Sequence, residues 1–130
     1  MASRFQATYP GIPTAVRDIR GELASFAARE GFDDGRLDDI RIAVSEAATN
    51  AVVHAYDRWC GEIRVDAGME HGELVIAIAD DGPGMTARAD SPGLGLGLPT
   101  ITTVSDRLEV ASTSAGCELQ MTFRLAPGLP

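Results

Sequence analysis

The spacing of apolar positions changes period along this chain, and the changes mark its elements. Phe5 to Tyr9 alternates weakly and predicts a short strand ended by Pro10 and Gly11, with its partner strand undetermined. Val16, Ile19, Leu23 and Phe26 recur at three- and four-residue steps, which predicts an amphipathic helix with Thr14 as N-cap after Pro13 and a stop near Gly31. A second helix follows. Asp33 and Asp34 begin it, acidic residues at the positive end of the helix dipole, and Leu37, Ile40, Val44, Ala47 and Ala51 trace its apolar face. After a turn at DRWCG come two strands. Glu62 to Ala67 points Ile63 and Val65 to one side, and Glu73 to Ala79 is a continuous apolar run; His71-Gly72 fits a hairpin between them. A third helix starts at Leu98 or Pro99, since proline is tolerated in the first turn, and runs through Ile101 and Val104. Arg107 to Ala111 and Glu118 to Leu125 complete the strands, the latter alternating Leu119, Met121, Phe123 and Leu125. Apolar helices laid on one face of such a sheet make a two-layer α+β sandwich.

Composition narrows this picture. The chain has 130 residues and no repeat or linker, so one domain spanning 1–130 is expected, large enough to bury a core without a disulfide or structural metal. A net charge of −8 disfavours nucleic acid and anionic membrane surfaces and favours a partner with basic patches. All 11 basic residues are Arg. The lack of lysine excludes a P-loop, a eukaryotic-type protein kinase site and Schiff-base chemistry. A bound phosphate would have to be held by backbone N–H groups, arginine or a metal. The longest apolar run, Leu74 to Ala79, is too short to cross a bilayer, and MASRFQATYP lacks a signal-type hydrophobic segment, so a cytoplasmic protein is expected. Cys60 and Cys117 have no metal-type spacing and read as free thiols.

Three stretches carry candidate chemistry. In the second helix Glu46, Asn50 and His54 follow at steps of four, each step advancing only about 40°, and form a slanting polar stripe flanked by apolar residues. Such a stripe is either a solvated face or a general base beside a metal ligand. Asp80-Asp81-Gly82-Pro83-Gly84-Met85 leaves the apolar strand directly. It is either a turn with solvated aspartates or a buried carboxylate that needs a hydrogen-bond partner, such as the exocyclic amine of an adenine, with glycines that admit a close approach. Gly93-Leu94-Gly95-Leu96-Gly97-Leu98-Pro99 leads into the third helix. It is a surface turn or an anion site built from backbone N–H groups and a helix N-terminus. It is not a Rossmann fingerprint, because Thr100 stands where the third glycine belongs.

Taken together, SEAATNAVVHAY, DDGPGM and GLGLGL resemble the N, G1 and G2 boxes of the GHKL ATP-binding superfamily, and within it the bacterial anti-sigma-factor serine kinases. The resemblance covers nearly the whole chain. It implies a Bergerat-type fold, a mixed, mostly antiparallel sheet covered on one face by about three helices. It implies Mg-ATP as cofactor, with Asn50 as the ligand of the Mg²⁺ bridging the phosphates and Glu46 as general base toward a serine hydroxyl or water. Asp80 would hold the adenine amine, with Gly82 and Gly84 giving the base room; Gly93, Gly95 and Gly97, with the intervening Leu96 and Leu98, would wrap the phosphates. The activity implied is phosphorylation of an anti-anti-sigma protein on serine combined with sequestration of a sigma factor, in a homodimer. The alternative is a non-catalytic ATP-binding anti-sigma or scaffold module. This chain departs from the pattern in places. Its lid, MTARADSP, is short and holds Arg88 as its one basic residue, and Gly116-Cys117 replaces the usual Gly-Thr. Val53 stands where two-component histidine kinases tend to carry lysine, and His54 is read as packing beside Tyr56.

Overall fold

A computed structural model describes residues 3–56, 61–81, 97–113 and 116–125. The elements in chain order are β1 (Arg4–Pro10), α1 (Thr14–Arg29), α2 (Asp34–Tyr56), β2 (Glu62–Glu70), β3 (Glu73–Asp80), α3 (Gly97–Val104), β4 (Arg107–Thr113) and β5 (Gly116–Arg124). The strands form one sheet in the order β1-β2-β3-β5-β4. Every pairing among the described strands is antiparallel, so the parallel component of a mixed sheet is absent from them. The otherwise expected architecture holds, with three helices and an α+β sandwich. The first strand finds its partner in β2, Phe5 lying opposite Ala67 and Tyr9 opposite Ile63.

Local chemistry sets the element ends. Pro13, not Thr14, occupies the N-cap of α1, in helical geometry and with no side-chain cap bond, so Thr14 is simply the first helical residue. The other end of α1 is a Schellman motif: Gly31 takes φ 106°, its N–H donates to Ala28 O, and the Phe32 N–H donates to Ala27 O. Asp33 caps α2 by accepting the Arg36 N–H at 2.9 Å. His71 and Gly72 both have positive φ, 52° and 80°, which makes the β2–β3 connection a type I′ turn whose twist matches the strands.

The core lies between the helices and one face of the sheet. Ile63 and Val65 of β2, Leu74, Ile76 and Ile78 of β3, and Leu119, Met121 and Phe123 of β5 meet Ile19, Leu23 and Phe26 of α1, Ile40, Val44 and Ala47 of α2, and Ile101 of α3. Burying each of the larger side chains contributes about 1.5–3 kcal/mol. The apolar run of β3 is not buried on both sides. Its side chains alternate, with Leu74, Ile76, Ile78 and Asp80 inward and Val75, Ala77 and Ala79 half-exposed on the outer face. Polar residues of neighbouring strands frame that outer face, including Asp66, which accepts from Arg4 at 2.9 Å and from Gln6 at 3.0 Å.

One arginine ties the helical layer together. Arg36, at the start of α2, donates through Nη1 to Asp39 at 3.1 Å and to Val104 O at 3.4 Å, and through Nη2 to Asp106 at 2.6 Å, while its guanidinium lies over the Phe123 ring. The end of α3 is thereby fastened to the beginning of α2. The rest of α3 also packs on α2.

Candidate functional site

The described candidate residues are carried by three elements, α2, β3 and α3. Glu46 and Asn50 occupy successive turns in the middle of α2, which packs on β3 and on α3. Asp80 is the last residue of β3, paired across the sheet with Ile63 on one side and Cys117 on the other. Gly97 opens α3, and Leu98 behind it is partly buried against the core. Of the three, α2 is the element that packs on both of the others. His54 belongs to the last turn of α2, and the reading of its side chain as packing beside Tyr56 lies outside what is described. Gly82, Gly84, Gly93, Gly95 and Leu96, together with the lid and Arg88, lie outside the described residues, as does Cys60.

The burial of these groups is chemically informative. Asn50 is only 9% exposed, and its Nδ2 has no hydrogen-bond partner. A buried amide N–H left unpaired costs about 1–3 kcal/mol, so the helix carries a polar group that packing alone does not call for. Asp80 is 4% exposed, a carboxylate at the end of an apolar strand. Glu46 is partly buried, between the two extremes. Among the described residues no three His, Cys, Asp or Glu side chains converge as a metal cage. A divalent ion held by phosphate oxygens, waters and a single side-chain amide needs none, so this donor set fits Mg-ATP.

Two supports for the site were not legible in the residue pattern. Gly116 lies so close to the end of β3 that a Cβ there would collide with the Asp80 carbonyl oxygen. Arg64 donates to Asp81 at 2.8 Å, a bond that raises the guanidinium pKa and fixes the residue that follows Asp80. The doublet Asp80-Asp81 is thus divided, one carboxylate inward at the site and the other outward on the sheet. Cys117 places a buried thiol directly opposite Asp80.

Residues 9–123 match the model of the histidine kinase-like ATPase domain. The chain belongs to the histidine kinase-like ATPase domain family. Relatives in this family include a serine-protein kinase RsbW of Bacillus velezensis, 36% identical over 130 residues that cover 87% of this chain and 80% of the relative. The RsbW of Bacillus subtilis is 33% identical over 93% of this chain and 85% of its own length. An anti-sigma F factor of Clostridium acetobutylicum is 33% identical over 72% of this chain and 73% of its own. Among solved structures, the RsbU and RsbW domains of a Mycobacterium tuberculosis protein superpose with a TM-score of 0.76 at 25% identity, covering 95% of this chain and 32% of that one. Among the described residues no helix is long and apolar enough to cross a membrane.

Proposed function

We propose that this chain is an ATP-dependent protein-serine kinase that also acts as an anti-sigma factor, phosphorylating an anti-anti-sigma protein and sequestering a sigma factor. The observation that carries this reading is the pair Glu46 and Asn50 on successive turns of α2, with Asn50 buried and its Nδ2 without a hydrogen-bond partner. Bound Mg-ATP would supply the phosphoryl group and the divalent charge that offsets it. Asn50 would ligate the metal through its amide oxygen, and Asp80 would accept a hydrogen bond from the adenine amine. The first N–H groups of α3 at Gly97 and Leu98 would face phosphate oxygens, with the loop residues Gly82, Gly84, Gly93, Gly95 and Leu96 completing the enclosure. Glu46 would accept the proton of the attacking serine hydroxyl. Positioning and charge neutralisation make up most of the catalysis of phosphoryl transfer, so this short set is sufficient in kind.

We also place the protein in the cytoplasm, as a homodimer, with no direct contact to nucleic acid. The deciding experiment incubates the protein with labelled Mg-ATP and the anti-anti-sigma proteins of its source organism, followed by phosphoserine analysis. Transfer to serine is expected. ATP binding without transfer would turn the reading to a non-catalytic anti-sigma module, and absence of Mg-dependent ATP binding in calorimetry would sink both.

A further inference from the structure

Helix α2 presents two large apolar side chains to solvent on the side away from the core. Ile42 is 43% exposed and Val53 47%, and Thr49 between them is also exposed. At 100° per residue Thr49, Ile42, Val53 and Glu46 fall within an arc of about 60°, so these four side chains share one face. Three of the four are β-branched, and the Thr49 methyl continues the apolar strip while its hydroxyl offers one donor and acceptor within it. Asn50 lies one step further round, on the buried side. Glu46 therefore stands on the border between a buried amide and an exposed, largely apolar strip. Exposed Asp38 and half-buried Ser45, whose hydroxyl accepts from Arg20, lie along the other flank.

We infer that this strip is the docking surface for the protein substrate, and that the substrate seats a hydroxyl-bearing segment with apolar side chains on both sides of the accepting serine. The inference rests on the kinase reading and adds the recognition surface to it. A general base must come within about 2.6–3.2 Å of the hydroxyl it deprotonates. Asn50 lies on the buried side of Glu46 and exposed residues lie on the other, so a macromolecular hydroxyl reaches the carboxylate from the solvent side. Any chain arriving there covers Ile42 one turn before and Thr49 and Val53 after. Ile42 and Val53 are about 16 Å apart along the axis, with Glu46 about 6 Å from the first, which sets the spacing of the apolar groups that the partner must offer. Ile42 and Val53 are two of the three large hydrophobics standing exposed among the described residues, and both lie on this one face.

The test uses the full chain, with Ile42→Asp and Val53→Asp, and the milder Ile42→Ser as a further variant. Binding of the organism's unphosphorylated anti-anti-sigma proteins is measured by calorimetry in the presence of Mg-ADP, alongside Mg-ATP affinity and thermal melting. Both aspartate variants are expected to weaken protein binding at least tenfold, Ile42→Ser less, with nucleotide affinity and melting unchanged. In the transfer assay they raise KM for the protein and leave kcat within about twofold. Val110→Ser, which alters the third exposed hydrophobic on β4, should change nothing. Unaltered protein binding in both aspartate variants overturns the inference. So does conversion of a wild-type dimer to monomer with binding intact, which would give the strip to a second copy of the chain. Failure of the wild type to transfer phosphate, with binding still dependent on Ile42 and Val53, counts against the kinase reading alone.

Discussion

Three carboxylates of this chain show how position decides what the same functional group does. Glu46 is partly buried one turn before Asn50, whose Nδ2 lacks a hydrogen-bond partner, Asp80 is buried at a strand end, and Asp66 lies on the outer sheet face under Arg4. Replacing Glu46 by Ala should lower phosphoryl transfer by about 10²–10⁴-fold, the usual contribution of a positioned base, while ATP affinity in calorimetry stays within about twofold. Equal losses in both would remove its role as base. Asp80→Asn should weaken ATP by about tenfold or more, the worth of a charge-assisted hydrogen bond, and leave a triphosphate without an exocyclic amine little affected. Unchanged ATP affinity would contradict the adenine contact. Asp66 governs a pH effect. The hydrogen bond from Arg4 holds its carboxyl below the ordinary value of 3.8. A depressed folded-state pKa stabilises the protein above the unfolded value, and that contribution disappears as pH falls through the folded one. Melting temperature should therefore drop more steeply below about pH 4 in wild type than in Asp66→Asn, and carboxyl NMR titration should report the low pKa directly.

At the scale of elements, helices and their polar stripe were legible because a period of 3.6 marks both the face that packs and the face that does not. Glu46 and Asn50 stood out for that reason, and α2 carries them where the pattern placed them. Pairing across distance was less legible. The partner of β1 follows from a register between segments about sixty residues apart, and Arg36 meets Asp106 across seventy, so no local spacing announces either. The apolar run of β3 hides its alternation in another way. Alanines and a valine on its outer face are small enough to stand half-exposed, so continuity of hydrophobic letters did not mean burial on both sides. Thr14 looked like a cap, but Pro13 already provides helical φ and no side chain caps the helix there. Gly116 yields the sharpest element-level prediction. Gly116→Ala forces a methyl group into the Asp80 carbonyl, and overpacking of this kind costs about 1–3 kcal/mol. Chemical denaturation should show that loss, and ATP affinity should fall with it, because the displaced backbone is that of Asp80. A fully stable variant with unaltered nucleotide binding would show that the strand ends can separate freely.

For the molecule as a whole, a net charge of −8 and an uncovered outer sheet face bear on association. Light scattering should give the mass of a dimer, and raised salt should tighten it by screening the repulsion between two acidic protomers. A monomer at working concentration would refute the proposed dimer.

The strand order also has a kinetic meaning. β2 and β3 form one hairpin through the His71-Gly72 turn, and β4 and β5 form another through a two-residue connection. Each closes locally. They join only when Cys117 comes up against Asp80, with 36 residues between them. That junction closes a long loop, and the entropy opposing it grows only with the logarithm of its length, about 0.6 kcal/mol per doubling. The segment between the two hairpins can therefore lengthen or shorten among relatives at little cost to assembly of the sheet, which leaves the lid free to vary while the strands that hold Asp80 do not.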